Sequence, residues 1–404
     1  TGDSPITAVT GKGYFLNTTA GTITINLPAG AAGSIVSLAD YAATWQTNNV
    51  TVSPNGAEKI GAIAQDATLS TEGQSVTFVY VDSTQGWINT MDSTSNVRGT
   101  PPFVAATGGT ISTVCTDYKV HTFTGPGTFT VTAAGTPAGS TTVDYLVGAG
   151  GGGGGSGGVA CSTGGGGGAG GFRTSYCAPT TTPITVTVQG YPIDVGAGGP
   201  GAASAYNNGS NGANSVFSTI TSTGGGYGSG APGAGPGADG GSGGGGGCNL
   251  ATGGSGNTPP VSPPQGNPGY IIPGAACYQN AAGGGGGGAT VAGGQSNIPG
   301  GGPSFTGYGG AGGAGASNSI SGTCVSYVGG AGGGGNTVLG AASPCGTGGA
   351  GSKGKSPVTN ATTGTLNRGG GGGGGSQSPP GGCGSNVNGA NGGSGIVIIR
   401  YKFQ

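Results

Sequence analysis

Residues 349–356 read Gly-Ala-Gly-Ser-Lys-Gly-Lys-Ser and fit the phosphate-loop spacing G-x-x-x-x-G-K-[ST], with Lys355 and Ser356 where phosphate and metal would be met. That chemistry needs a strand before the loop and a helix after it, so that backbone N–H groups and a helix terminus cradle the anion. Here Ser343-Pro344-Cys345 precedes the run and Pro357 follows it, and glycine is abundant enough for the spacing to arise from composition. The several G-x-G-x-x-G matches carry no weight for the same reason. Asp239, in Gly-Ala-Asp-Gly-Gly, resembles a glycine-rich calcium turn, but neither the Asp nor the apolar position of such a site recurs. A solvated turn Asp is expected.

Acid–base and nucleophilic chemistry are poorly supplied. Between 148 and 395 the charged residues are Arg173, Asp194, Asp239, Lys353, Lys355 and Arg368, with no Glu and no His. Paired carboxylates or a Ser–His arrangement would need distant partners. The lone His121 falls on an expected strand and reads as structural. The sequence therefore points to no catalytic residue, no metal site, no cofactor and no enzyme. The eight cysteines include no CxxC pair, which favours disulfides and an oxidising, extracellular setting over zinc or redox motifs. Nearest-neighbour pairing would join Cys161–Cys177, Cys248–Cys277 and Cys324–Cys345; eight free thiols in a reducing cytosol are the alternative.

Recognition chemistry is better represented. Tyr206, Tyr227, Tyr270, Tyr278, Phe305, Tyr308 and Tyr327 sit in or beside glycine-poor loops, and tyrosine joins a large contact area to a hydroxyl at low entropic cost. Of these, Tyr227, Tyr270, Tyr278, Phe305 and Tyr308 are the candidate contact residues; the competing role is covering glycine backbone. Asn207-Asn208 and the asparagines of 386–391 suit sugars and turns equally.

The formal charge is −1, from ten basic and eleven acidic residues, which gives no electrostatic ground for binding nucleic acid or an anionic membrane. Apolar runs such as Ile396–Ile399 fall far short of the ~20 residues of a membrane helix, and no basic-then-apolar leader opens the chain, so a soluble protein without membrane insertion is expected. The chain begins at Thr1 rather than Met and reads as a processed form or a fragment.

The elements that must position these residues come in four stretches. Residues 1–98 hold both tryptophans and alternating runs such as Thr22–Leu27 and Val76–Val81, separated by turn residues, which predicts a small domain of antiparallel strands. Residues 99–147 continue as a β connector, with Gly125-Pro126-Gly127 as a hairpin-like turn between Tyr118–Phe123 and Thr128–Thr132. Most of the 106 glycines lie in 148–395, in blocks alternating with loops rich in Tyr, Pro, Asn and Cys. Residues 396–404 close the chain as a strand, expected to pair with Val143–Val147 and bring the ends of the glycine region together.

The blocks have no G-X-Y period, which excludes collagen. They suit left-handed polyproline-II-type helices of glycine, with three residues per turn and every N–H and C=O pointing outward. Lacking Cβ atoms, such rods approach closely enough for N–H···O=C bonds between them, supplemented by Cα–H···O contacts. Ordering each residue costs ~1–2 kcal/mol and a net hydrogen bond returns ~1. One rod cannot stand alone; each must bond several neighbours. The expected fold is an all-β N-terminal region plus a bundle of polyglycine-II helices with short strands at its base and essentially no α-helix.

The run Tyr118–Val131, followed by Val143–Val147 and a glycine block, resembles the opening of the glycine-rich domain of tailed-bacteriophage tail fibres. So do residues 170–175, 214–226 and the closing 392–401, giving a resemblance over roughly 115–402. Residues 10–90 are similar to a β domain of marine-phage fibres. The resemblance implies a virion-associated fibre whose polyglycine-II end displays loops that contact a host cell-surface protein or glycan, as in adhesins of T-even-type phages. It also implies other phage tail proteins as partners and a homotrimer through the N-terminal region. The loops 248–282 and 295–308 are the expected contact surface. An extracellular filament or decoration protein without a ligand is the alternative, and an ice-binding protein a more distant one.

Overall fold

The computed structural model describes residues 2–93, 101–158, 162–178, 180–231, 235–248, 252–270, 282–297, 306–377 and 388–404. The chain divides into two compact units, Thr1–Gly99 and Thr100–Gln404. Among the described residues there is no α-helix.

The first unit contains β1 (Ile6–Thr7), β2 (Lys12–Leu16), β3 (Ile23–Asn26), β4 (Ile35–Asp40), β5 (Val50–Ser53), β6 (Ala67–Leu69), β7 (Ser75–Asp82) and β8 (Gly86–Ser93). They form two sheets, ordered β1-β3-β5-β6 and β2-β4-β7-β8. Alternation in strands such as Ile23–Asn26 buries every second side chain, and Trp45, Trp87, Phe78 and Ile25 join one core. The expectation of antiparallel strands needs correction: β1 with β3, β3 with β5 and β2 with β4 run parallel. From β2 to β5 the chain alternates between the sheets, so consecutive strands of one sheet are entered in the same direction. The buried Asp40 carboxylate accepts the N–H groups of Ala42, Thr44, Trp45 and Gly73 and so fixes the turn after β4.

In the second unit the strands are β9 (Val104–Thr107), β10 (Thr110–Val114), β11 (Tyr118–Phe123), β12 (Gly127–Ala134), β13 (Thr142–Gly148), β14 (Phe172–Thr174), β15 (Ile184–Thr185), β16 (Gly190–Asp194), β17 (Ser215–Phe217), β18 (Ile220–Ser222), β19 (Ala316–Asn318), β20 (Val325–Tyr327) and β21 (Ile396–Lys402). One sheet runs β10-β11-β21-β13-β14, with β15 on β13, and a second runs β18-β17-β16-β12-β9. Strands β13 and β21 pair antiparallel, Val147 opposite Val397 and Tyr145 opposite Ile399, so the two strands bracketing the glycine region do join its ends. The turn at Gly125–Gly127 does not close a hairpin. Strand β11 pairs with β10 and β21, whereas β12 pairs with β16 and β9, and the turn carries the chain from one sheet to the other with Phe123 and Phe129 both in the core between them.

His121 lies in that core, fully buried, with Phe129 edge-on at 5.1 Å and Tyr401 at 5.5 Å. Its Nδ1 is 2.7 Å from the Gly108 carbonyl, which can only accept, so Nδ1 carries the proton and Nε2 takes the Tyr401 hydroxyl at 3.1 Å. Burial pushes the imidazole below its ordinary pKa of 6.5, partly offset by the Gly108 carbonyl and reinforced by Lys119. Between the folded and unfolded values the unfolded chain binds the extra proton. This contribution to stability is therefore complete above pH 6.5 and is lost as pH falls through the folded value. Unfolding midpoints should drop between pH 7.5 and 5, and the drop should flatten in His121→Gln; identical pH profiles would contradict this.

The other face of the β13–β21 sheet presents Leu146, Ile396 and Ile398 to Ile320 and Tyr327 of the β19–β20 hairpin and to Ala169. Beyond this apolar layer the chain continues as rods. In the rod 148–158, Gly150, Gly153 and Ser156 donate N–H to the rod 207–214; Gly151 and Gly154 donate to 388–395; and Gly152 and Gly155 donate to 162–171. The carbonyls of the same rod accept in the same rotation from 223–231, 195–202 and 369–377. A partner that changes with every residue and returns at the third is the signature of a threefold helix, here with six neighbours. The rod 162–171 repeats the arrangement, donating to 369–377, 223–231 and 282–289 and accepting from 148–158, 241–248 and 328–336. Both rods are buried along their glycines, and a Cβ at Gly152 would stand 2.2 Å from the Gly226 oxygen. The expected polyglycine-II bundle is what fills this unit.

Candidate functional site

Every rod has one end at the sheets and one away from them. The end at the sheets is built from strands and tight turns: β13 runs into 148, β21 leaves 395, and the β19–β20 hairpin joins 315 to 328. At the opposite end the rods finish in a layer of small polar side chains. Ser156, Ser162, Thr163, Ser352 and Ser376 are all buried there; Ser352 donates to Ser376 at 2.8 Å, and the Ser156 hydroxyl meets the carbonyls of Ser204 and Asn207. Serine suits this layer because its hydroxyl meets groups that the next turn of a rod would have met, with little added bulk.

The structure places the predicted contact residues in different surroundings. Tyr270 ends the rod 265–270 at the polar layer, its N–H on the Gly285 carbonyl at 2.9 Å and its carbonyl on the Gly246 N–H. Tyr308 exchanges both backbone hydrogen bonds with Asn297 at the same end. Tyr227 sits midway along the rod 223–231, half-buried on the flank, with its N–H on the Asn211 side chain. Among the described residues no ring–ring contact joins these three. Tyr278 and Phe305 lie outside the described residues. Tyr206 lays its ring over Gly158, where a Cβ would come within 2.0 Å of Cε1, and so covers glycine backbone. Tyr327 is core at the sheet end, with the Arg368 guanidinium 5.1 Å from its ring centre.

The stretch 248–282 is not one loop. Residues 252–257 and 265–270 run as rods, with Gly254 donating to Gly244, Gly269 to Gly254 and Tyr270 to Gly285. They are joined at the sheet end by a turn in which Gln265 bonds Thr223 through both its amide atoms. Glycines two or three apart suffice for a rod on the bundle surface, where only one side meets another backbone, and proline-rich composition concealed this.

The disulfide expectation also needs correction. Cys177 and Cys324 are exposed free thiols and Cys345 is free and half-buried, so the Cys161–Cys177 and Cys324–Cys345 bonds are not formed; Cys115 is free as well. The Cys345 sulfur is instead an acceptor: burial raises its pKa, but the Ser343 hydroxyl, the Gly315 N–H at 3.0 Å and Thr347 outweigh this, and the net shift is downward. Cys248 is disulfide-bonded, while Cys161, Cys277 and Cys383 lie outside the described residues.

The phosphate-loop look-alike is part of a rod. Gly349, Gly351, Ser352 and Gly354 direct their N–H groups to the carbonyls of Gly371, Gly340, Gly374 and Gly335, which leaves those donors unavailable to an anion. Asp239 accepts the N–H of Ser255.

Sequence reading missed a device on the bundle's flank. Asn208, Asn211 and Asn214, three residues apart, each place Oδ1 on an N–H of the neighbouring antiparallel rod: Gly230 at 2.8 Å, Tyr227 at 2.9 Å and Gly224 at 2.9 Å. Thr359 and Thr362 do the same for Lys353 and Ala350, and Asn391 for Gly201. A period of three in Asn or Thr, matching the rod repeat, was the signal available. Their side chains stand in for a missing outer rod.

The glycine-rich domain family model matches residues 122–402, which takes in β12 to β21 and every rod. No curated protein matches the chain.

Proposed function

From the premise that this chain belongs to the glycine-rich domain family, we propose that it is a virion structural protein, the tip of a bacteriophage tail fibre. In this reading it recognises a host cell-surface receptor, a protein or glycan, outside the cell, with the N-terminal unit joining it to the rest of a trimeric fibre and to other tail proteins. It performs no catalysis. One observation supports this above the others. The described residues on either side of 271–281, 298–305 and 378–387 all stand at the end of the bundle away from the sheets, so three stretches of the chain are anchored on one end of a stiff body. Recognition surfaces use connections carried at one end of a rigid scaffold.

Labelled protein should bind whole cells of particular bacterial strains in a panel. Replacing 271–281 and 378–387 with short Gly-Ser linkers that retain Cys277 and Cys383, so that the Cys248 disulfide is kept, should abolish that binding at an unchanged unfolding midpoint. A folded replacement variant that binds as before, or a native chain that binds no strain, would overturn the reading in favour of a purely structural filament.

A further inference from the structure

Two outer rods, 359–365 and 388–395, run side by side, with Gly364 donating to the Asn391 carbonyl at 2.9 Å. Between them lies a groove of about 450 Å³ lined by Asn360, Ala361, Thr363, Asn388, Ala390 and Asn391, together with Gly389. Its size falls within the ~300–1,000 Å³ of small-ligand sites. No charged side chain is among its lining residues.

The groove gathers polar groups that the described residues mostly leave free. Several Asn and Thr on the outer rods are committed inward: Asn208, Asn211, Asn214, Thr359 and Thr362 each cap a backbone N–H. One residue along from the capping threonines, Asn360 and Thr363 face outward, and they and Asn388 make no side-chain hydrogen bond among the described residues. Asn391 uses Oδ1 to accept from Gly201, which orients its Nδ2 donors away from that contact. The threefold repeat sets Asn360 and Thr363 on one rod, and Asn388 and Asn391 on the other, at intervals of ~9 Å. Asn360, Thr363 and Asn388 therefore bring neutral donors and acceptors to a groove whose lining also holds Gly389 and Ala390.

We propose that this groove binds an uncharged oligosaccharide. Amides and hydroxyls satisfy both the donor and the acceptor of a sugar hydroxyl, the small floor admits the flat face of a ring, and without a cation the site offers nothing to a carboxylate or sulfate. The proposal goes beyond the tip reading, since it names a ligand chemistry and a groove carried entirely by described residues.

The test measures direct binding of the intact chain to maltohexaose, cellohexaose, chitohexaose and mannohexaose by ligand-observed NMR, with an oligogalacturonate as anionic control. At least one neutral hexasaccharide should bind, and the anionic control should not. The variant Asn360→Ala/Thr363→Val/Asn388→Ala, which removes only uncommitted groups and should keep the native unfolding midpoint, should bind about tenfold more weakly or worse. No binding by any neutral probe, equal binding of the anionic one, or undiminished binding by the folded triple variant would each overturn the proposal. Replacing 271–281 alone leaves every lining residue and the chain entering Asn388 unchanged, so hexasaccharide binding should be retained in that variant whatever its cell binding, which separates the two claims.

Discussion

Replacing Gly154 with alanine should destabilise the second unit by at least ~3 kcal/mol, the upper part of the range for overpacking a core. The new Cβ would stand 2.0 Å from the Gly373 oxygen and 2.5 Å from its carbonyl carbon, and both are main chain. In an ordinary core an oversized side chain is accommodated when a neighbour changes rotamer. Here the neighbour has none, so the rods 148–158 and 369–377 must move apart. Gly154 also donates to Ala390 at 2.9 Å and accepts from Ala202 at 3.0 Å, so displacement loosens two further rods. Gly125→Ala is the matched control: nothing lies within 4 Å of its Cβ position and its φ is not in the left-handed region, so the change should stay within about 0.5 kcal/mol. Denaturant unfolding of the two variants beside the native chain decides the matter. Equal midpoints would mean that backbone contact does not hold the bundle together.

The same contrast explains which features could be read from the amino-acid order. Blocks such as Gly150–Gly155 were legible as rods because only glycine tolerates backbone on every side, and the apolar strands at 143–147 and 396–401 were legible as a closing pair because nothing else in the region could cover them. Alanine can serve both regimes: Ala169, near the sheet end of its rod, bonds Gly287 and Ser242 of neighbouring rods through its backbone and belongs to the apolar layer with Leu146 and Ile398. Illegible were the surface rods 252–257 and 265–270, where one side faces solvent and the glycine requirement relaxes to a fraction of positions. The cysteine connectivity was also hidden, because rod adjacency in a hexagonal array bears no simple relation to distance along the chain. Of the tyrosines, Tyr206 and Tyr327 cover glycine or core while Tyr270 and Tyr308 stand at the bundle's open end, and composition alone could not sort them.

The outermost rods raise a different problem, since an edge rod exposes unpaired N–H groups on its outer side just as an edge strand does. The ladder Asn208–Asn211–Asn214 answers it, and replacing all three with alanine should cost about 3 kcal/mol, roughly 1 kcal/mol for each amide that loses its acceptor on a part-exposed face. The loss should be local before it is global. Amide exchange at Gly224, Tyr227 and Gly230 should speed up while Gly152 and Gly168 in the central rods keep their protection, because their partners are main chain on other rods. Aspartate retains the accepting oxygen, so the triple Asn→Asp variant should restore protection at the three amides; its added charges lie about 9 Å apart along the rod, where physiological salt screens much of their repulsion. The uncapped alanine variant should also self-associate at high concentration, since a row of free donors spaced one rod turn apart is a template for the carbonyls of a second bundle. Unchanged exchange at Tyr227 in the alanine variant would show that water serves as well as the ladder, and the period of three would then need another cause.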